Sequence, residues 1–310
     1  MNCLIIGYGS IGIRHAAILN EMGHNVHIVS KRGVKDFPCN KTIREALEEK
    51  YIDYVIISNK TCNHYKSFME LIDSGYSGKI LVEKPVFSEI HSIPDIKSDN
   101  IFVAYNLRFH PVIQKLHGLL QDKIIYSIHA YSGQYLPNWR PGTDYTKCYS
   151  AFREQGGGVL RDLSHELDYI NWIAGGWKRV AAIGGKLSDL QIDSDDVFAL
   201  LLEMENCPVA CILLNYLDQK TRREIVVNLK DKSIKADLID NTLEINGEII
   251  NFTADINLTY RLQHETILTE NYDSVCTLDQ GMEVLKLIHA AEVAADKQVW
   301  INRFDVEEFS

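Results

Sequence analysis

The first dozen residues constrain this chain more than any other stretch. Asn2-Cys3-Leu4-Ile5-Ile6 is a short apolar run that passes straight into Gly7-Tyr8-Gly9-Ser10-Ile11-Gly12. A run that is apolar at every position suits a parallel strand buried on both faces. Beyond the glycines, Ile13, Ala16, Ala17, Ile18 and Leu19 are spaced for one apolar helix face, and Asn25-Val26-His27-Ile28-Val29 reads as a second strand. In such a strand–turn–helix the first glycine makes the turn and the second lets backbone approach a pyrophosphate. The third lets helix and strand pack closely, while the helix N-terminus offers N–H groups and positive dipole. The spacing predicts dinucleotide binding by Gly7, Tyr8, Gly9, Ser10, Ile11 and Gly12. A glycine turn in some other α/β fold is the alternative.

The end of the second strand bears on which dinucleotide. An acidic residue there would hydrogen-bond a ribose 2′-hydroxyl, but this chain has Ser30-Lys31-Arg32. A hydroxyl followed by two cations suits a 2′-phosphate, because guanidinium pairs bidentately with phosphate and stacks on planar rings. The expected cofactor is therefore NADP in preference to NAD, with a solvated turn as the alternative reading of these three residues. Further strands are expected at Tyr54–Ile57, Lys79–Val82 and from Ile101, with helices between them. That alternation predicts a doubly wound parallel sheet. Ligands of such sheets sit beyond the carboxyl ends of the strands, where Asn59, Glu83, Lys84 and Asn106 fall.

After Leu120 the alternation ends. A strand over 124–133 leads into an irregular aromatic stretch containing Tyr135, Trp139 and Arg140. Aromatic faces beside polar groups suit sugar rings, and Arg140 or Arg108 could meet a carboxylate or phosphate; a buried structural loop is the alternative. Strands at 180–183, 197–204, 209–216 and 224–229, and a hairpin over 243–250 around Asn246-Gly247, follow without intervening helices. They predict a largely antiparallel open sheet, with a last helix over 278–296. Val197 to Leu202 is apolar on both faces. If helices cover one face, a second subunit is expected on the other, giving a homodimer or homotetramer.

At 310 residues the chain is long enough for two cores. Its net charge of −10 and lack of any basic run argue against nucleic acid or an anionic membrane as partner. No leader pattern opens it, and no apolar stretch approaches the ~20 residues a membrane helix needs. The seven cysteines are scattered without a C-x-x-C pair, so neither a disulfide framework nor a metal site is expected. The composition reads as that of a reduced, cytoplasmic protein.

Several of these segments together resemble the glucose–fructose oxidoreductase / inositol dehydrogenase / rhizopine catabolism (Gfo/Idh/MocA) family. The carriers are the glycine turn, the Thr61-to-His64 helix start, Glu83-Lys84-Pro85, Gly156-Gly157-Gly158-Val159-Leu160-Arg161-Asp162, His165-Glu166-Leu167-Asp168, and Asp195-Asp196 ahead of a strand. The resemblance covers nearly the whole chain. It implies a Rossmann domain over 1–120 and an α+β domain for substrate binding and oligomerisation over 121–310. It also implies an NAD(P)-dependent oxidoreductase moving a hydride between nicotinamide and a carbinol or keto carbon of a sugar, a nucleotide sugar or a surface-glycan intermediate.

By the same resemblance Lys84 matches the lysine that meets the nicotinamide ribose and the reacting oxygen, aimed by a cis peptide before Pro85. Asp162 and His165 match an acid–histidine pair for substrate binding and proton transfer. They are three residues apart rather than the usual four, and the intervening glycine is absent, yet either spacing would share one helical face. Thr61 and His64 would help close the cofactor pocket, and Asp168 would bond backbone or a helix neighbour. A cofactor-binding regulator without catalysis, or a glycoside hydrolase with tightly held NAD, are the competing functions; the intact Lys84, Asp162 and His165 set favours the oxidoreductase.

Overall fold

The computed structural model describes residues 1–94 and 96–309. In chain order its elements begin with β1 (Asn2–Ile6), α1 (Ser10–Glu21), β2 (Asn25–Val29), β3 (Cys39–Asn40), α2 (Ile43–Glu49), β4 (Tyr54–Ile57), α3 (His64–Asp73), β5 (Lys79–Val82) and β6 (Ile101–Val103). Next come α4 (Pro111–Leu120), β7 (Ile125–Gly133), α5 (Val159–Asp162), α6 (Ser164–Ile173), β8 (Trp177–Gly185), β9 (Val197–Met204) and β10 (Ala210–Asn215). The chain ends with β11 (Arg222–Leu229), β12 (Ser233–Asp237), β13 (Thr242–Ile245), β14 (Glu248–Asn251), α7 (Leu258–Leu268), β15 (Cys276–Thr277), α8 (Leu278–Lys297) and β16 (Ile301–Asn302). Two compact units result, each assembled from two stretches of chain. One holds residues 1–106 and 256–282, the other 107–255 and the chain from Glu283 onward.

The first unit is built on a seven-stranded sheet in the order β15-β6-β5-β4-β1-β2-β3. Six strands are parallel, and β15 joins the β6 edge antiparallel. Strand order reverses at β1, so its carboxyl end lies at the switch point where ligands of such sheets bind. Cys3, Leu4, Ile5 and all of β4 are fully buried. Each large aliphatic side chain so placed contributes about 1.5–3 kcal/mol of burial.

On α1 the buried residues are Gly12, His15, Ala16, Ile18 and Leu19. Ile13 and Ala17, expected on that face, point to solvent, and His15 takes a core position instead. The spacing explains this, because His15 stands three and four residues from Ile18 and Leu19 and so shares their stripe. α7 packs on α1 and belongs to this unit although its sequence follows β7 to β14 of the second sheet.

The second unit carries a nine-stranded sheet in the order β14-β13-β12-β11-β7-β10-β9-β8-β16. It is antiparallel except for the β7–β10 pair. In the β13–β14 hairpin Asn246 and Gly247 both have positive φ (51° and 93°), as the tightest hairpin turn demands. β9, apolar from Val197 to Leu202, nevertheless alternates: Phe198, Leu200, Leu202 and Met204 are buried, while Ala199 and Leu201 are exposed. α5 and α6 pack on this sheet.

Asp162 and His165 do not share one helix, contrary to the expectation from their spacing. At Leu163 the backbone leaves helical angles (φ −98°, ψ 27°), ending α5, and α6 starts at Ser164. The Glu166 N–H bonds the Leu163 carbonyl, an i→i+3 turn that resets the helical phase between the two residues.

Candidate cofactor and proton-transfer sites

At the glycine turn the three glycines have different surroundings. A Cβ on Gly7, which has φ +101°, would lie 2.5–2.8 Å from Asn59. One on Gly12 would run into the Gly7 carbonyl and sit 2.9 Å from Ser58 Oγ. Around Gly9, the N-cap of α1, there is open space. No side chain caps α1 and no acidic residue lies in its first turn, which leaves the positive end of the helix available to an anion. Tyr8 sets its ring edge-on to Phe37, 6.4 Å between centroids, and Ile11 is half-buried while Ser10 is exposed.

Asn59, at the carboxyl end of β4, donates through Nδ2 to Ser67 Oγ at 2.8 Å. Its Oδ1 is buried with no hydrogen-bond partner among the described residues. Such an acceptor costs about 1–3 kcal/mol unless a donor arrives. A nicotinamide dinucleotide brings ribose hydroxyl and carboxamide donors, so the open glycine turn and this unmet acceptor fit one. Thr61 is buried, and His64, 1 % exposed, has Nε2 3.1 Å from the Asn59 carbonyl. Its Nδ1 lies 3.2 and 3.1 Å from the carbonyls of Pro85 and Val86. Burial holds this imidazole below its usual pKa. His64 thus ties the turn after β4 to the turn after β5, where the Lys84–Pro85 peptide is cis.

Glu83 is withdrawn from water beside that turn. Its Oε2 accepts the Lys84 backbone N–H at 3.1 Å, and its Oε1 lies 2.9 Å from His15 Nε2. Burial alone would raise the carboxyl, but the His15 hydrogen bond, the Lys84 charge and the Lys84 N–H bring it below the usual range. Asn106 is buried at the end of β6 and donates to Thr259 Oγ1 at 2.6 Å. After β2, Ser30 is buried and its Oγ accepts the Arg32 backbone N–H at 3.0 Å, while the Lys31 and Arg32 side chains are exposed.

In the second unit Asp162 is held by two phenols. Tyr149 donates to Oδ1 at 2.8 Å and Tyr216 to Oδ2 at 2.6 Å. Burial and the neighbouring carboxylate hold both phenols well above their usual pKa, so they remain donors. His165 is half-buried in the first turn of α6. The aromatic stretch reaches Asp162 through the same two tyrosines. Trp139 packs edge-on to Tyr216 at 5.1 Å, and the Arg140 guanidinium lies over the Tyr149 ring at 5.6 Å. Leu136, Trp139, Arg140, Thr143, Tyr145 and Cys148 line a recess here, with Tyr135 half-buried nearby in sequence.

Arg108 departs from expectation. It is 2 % exposed and grips Asp168 with two bonds, Nε to Oδ2 at 2.9 Å and Nη2 to Oδ1 at 2.7 Å. A guanidinium so engaged ties the segment before α4 to α6, and Asp168 pairs across 60 residues. Sequence reasoning missed His15, His264, Tyr149 and Tyr216. Only His15 carried a local signal, its place on the α1 stripe; the others become partners through tertiary contact.

Residues 1–98 match the model of an oxidoreductase family with an NAD-binding Rossmann fold, and residues 113–249 match the GFO/IDH/MocA C-terminal domain. Among solved structures, the chain is similar to a levoglucosan dehydrogenase in complex with NADH and L-sorbose (TM-score 0.83, 14 % identity, 99 % of this chain and 100 % of that one). It is also similar to the WlbA dehydrogenase from Bordetella pertussis in complex with NADH and UDP-GlcNAcA (TM-score 0.78, 15 % identity, 97 % of each chain). A third is the UDP-N-acetylglucosamine 3-dehydrogenase GnnA from Acidithiobacillus ferrooxidans (TM-score 0.75, 18 % identity, 96 % and 98 %). Compared by sequence, the chain matches no curated protein. Among the described residues no helix is long and apolar enough to cross a membrane. With both of its halves matched in order, the chain belongs to the Gfo/Idh/MocA family of NAD(P)-dependent oxidoreductases.

Proposed function

We propose that this enzyme oxidises or reduces a carbinol or keto carbon of a sugar or sugar derivative, with nucleotide-linked sugars as the favoured class. The observation that carries the reading is the tie from the glycine turn through Asn59 and His64 to the cis turn at Lys84. It supports Lys84 as a lysine fixed at the edge that serves the cofactor. The bound nicotinamide supplies the hydride acceptor or donor. In this proposal Gly7, Gly9, Gly12, Asn59 and Thr61 hold the cofactor, and Lys84 offsets negative charge growing on the reacting oxygen. His165 takes or returns the hydroxyl proton, imidazole being suited to exchange near neutral pH. Asp162, with its oxygens engaged by Tyr149 and Tyr216, serves as a fixed charge that aligns the site rather than as the base.

The neighbours named for NADH with UDP-GlcNAcA and for UDP-N-acetylglucosamine support a nucleotide sugar, and Trp139 and Arg140 in their recess offer an aromatic face and a cation for it. Ser30, Lys31 and Arg32 favour NADP. The exposed Ile183, Ala199 and Leu201 on the second sheet support a homo-oligomer through that face, and the composition supports the cytoplasm as its location.

The test is a fluorescence titration with NADPH and NADH on wild type and Arg32→Ala, followed by a panel of levoglucosan, UDP-N-acetylglucosamine, free hexoses and inositol. Tighter NADPH binding that weakens about tenfold in the variant supports the 2′-phosphate reading, one lost charged contact being worth about 1.4 kcal/mol. Equal NADH and NADPH binding returns Ser30-Lys31-Arg32 to a solvated turn, and absence of turnover across the panel removes the sugar assignment.

A further inference from the structure

Behind Glu83 lies a line of buried groups that the proposed chemistry does not use. His15 Nδ1 is 2.8 Å from His264 Nε2, and His264 Nδ1 is 3.0 Å from the Tyr54 hydroxyl. His15, His264 and Tyr54 are each 0 % exposed. With the His15–Glu83 contact and the Lys84 N–H, this makes an unbroken line from Tyr54 on β4, through α7 and α1, to the backbone of Lys84.

The direction of every bond in the line follows from its two ends. Glu83 is ionised and accepts on both oxygens, so His15 Nε2 carries a hydrogen. Tyr54 stays protonated because burial holds its phenol far above the usual value. His264 is kept neutral by its complete burial. A neutral His264 that accepts from Tyr54 at Nδ1 must donate from Nε2, and His15 must receive at Nδ1. All donors then run one way: Tyr54 to His264 to His15 to Glu83. The opposite arrangement, with hydrogen on His15 Nδ1, would reverse the bonds from His15 to His264 and from His264 to Tyr54.

We propose that His264 is a positioning residue for Lys84, acting through His15 to keep Glu83 a charged, two-handed acceptor that fixes the Lys84 backbone. This rests on the reading of Lys84 as the residue that meets the reacting oxygen. The titratable or charged groups around the line are Tyr260 beside His15 with Arg14 over its ring, His24 near His264, Lys84 and His64 near Glu83, and Cys3 and Tyr76 near Tyr54. Of these only the histidines exchange protons near neutrality, and burial holds His24, His64 and His264 below their usual values.

The test uses the full chain, labelled with ¹⁵N, without cofactor. Ring ¹⁵N–¹H correlations from pH 5.5 to 8.5 should show His15 and His264 both neutral with hydrogen on Nε2, and the Lys84 amide proton should hold one shift over that range. His264→Leu removes the donor to His15 Nδ1, and the Lys84 amide should then shift across that pH range. His264→Gln, whose amide can donate to His15, should return the Lys84 amide to a flat profile. An imidazolium or Nδ1–H tautomer at pH 7 in wild type overturns the proposal, as does a Lys84 amide that is flat in all three proteins. If His264→Leu does not fold, the wild-type tautomers and the His264→Gln profile still decide it. None of these readouts needs turnover, so a Lys84→Ala enzyme of normal activity would remove the Lys84 role while leaving the hydrogen-bond line to stand or fall by itself.

Discussion

Glu83 in the first unit and Asp195 in the second are both carboxyls withdrawn from water, and their surroundings drive them in opposite directions. Burial raises each. Glu83 more than recovers through the His15 hydrogen bond, the Lys84 charge and the Lys84 N–H, and ends below the usual range. Asp195 has the Leu160 N–H at 3.0 Å and the attraction of Arg161, opposed by Glu292, and ends at about 6. Burial therefore does not set the protonation of a buried acid here; the number and quality of its donors do.

The sharpest way to break this comparison is to strip a buried charge of its partner. Arg108→Ala leaves Asp168, 1 % exposed, without its guanidinium and should destabilise the protein by about 3–5 kcal/mol in urea unfolding. A loss below about 1 kcal/mol would mean that Asp168 finds donors elsewhere and that partnering counts for less than supposed.

Next in size is the effect on catalysis. Lys84→Ala should lower turnover about 10²–10³-fold with an unchanged circular dichroism spectrum, whereas Asp195→Asn should leave turnover near wild type. Equal losses would show that the two carboxyl neighbourhoods are not functionally distinct.

The two acids also predict opposite pH slopes. Glu83 has a depressed value in the fold, so its contribution is full above its ordinary 4.5 and is lost as pH falls through the folded value. Asp195 has a raised value, so the fold favours its protonated form and stability falls as pH climbs from 3.8 to about 6, by at most ~3 kcal/mol. Asp195→Asn should flatten the urea midpoint across pH 4–6.5; an unchanged slope assigns the effect to other groups.

The smallest contrast is between two tyrosines. Tyr216→Phe deletes a bond to a carboxylate and should cost about 1.5–3 kcal/mol, while Tyr54→Phe deletes a bond to a neutral imidazole and should cost about 0.5–1.5 kcal/mol. Thermal unfolding of the pair checks the order, and a reversed order would mean that His264 is the charged partner.

Much of the architecture is legible where apolar residues carry the period. The strand expected over 197–204 on its apolar run Val197–Leu202 coincides with β9, and Asn246-Gly247 makes the hairpin its dipeptide requires. β12, only Ser233–Asp237 with Ile234 and Ala236 as its buried residues, is too short and polar for the same reading. α7 escapes for a related reason: its buried positions are Thr259, Gln263, His264 and Ile267, so only one of them is hydrophobic. On α1 the same blindness to polar core residues put Ile13 inside and left His15 out of account. Between Asp162 and His165, spacing predicts one continuous helix, but the backbone leaves helical angles at Leu163 and divides it into α5 and α6.

By itself, then, the sequence determined the nucleotide-binding turn, the Glu83-Lys84-Pro85 turn and the two sheets, while the strand order that puts the switch point at β1 came from the structure. These depend on local periodicity and turn chemistry, which act over a few residues. Tertiary structure decided what each buried polar group meets. His264 reaches His15 across 249 positions, Tyr216 reaches Asp162 across 54, and Asp168 reaches Arg108 across 60. A buried donor or acceptor must be satisfied by whatever the fold brings to it, and no residue spacing encodes that partner.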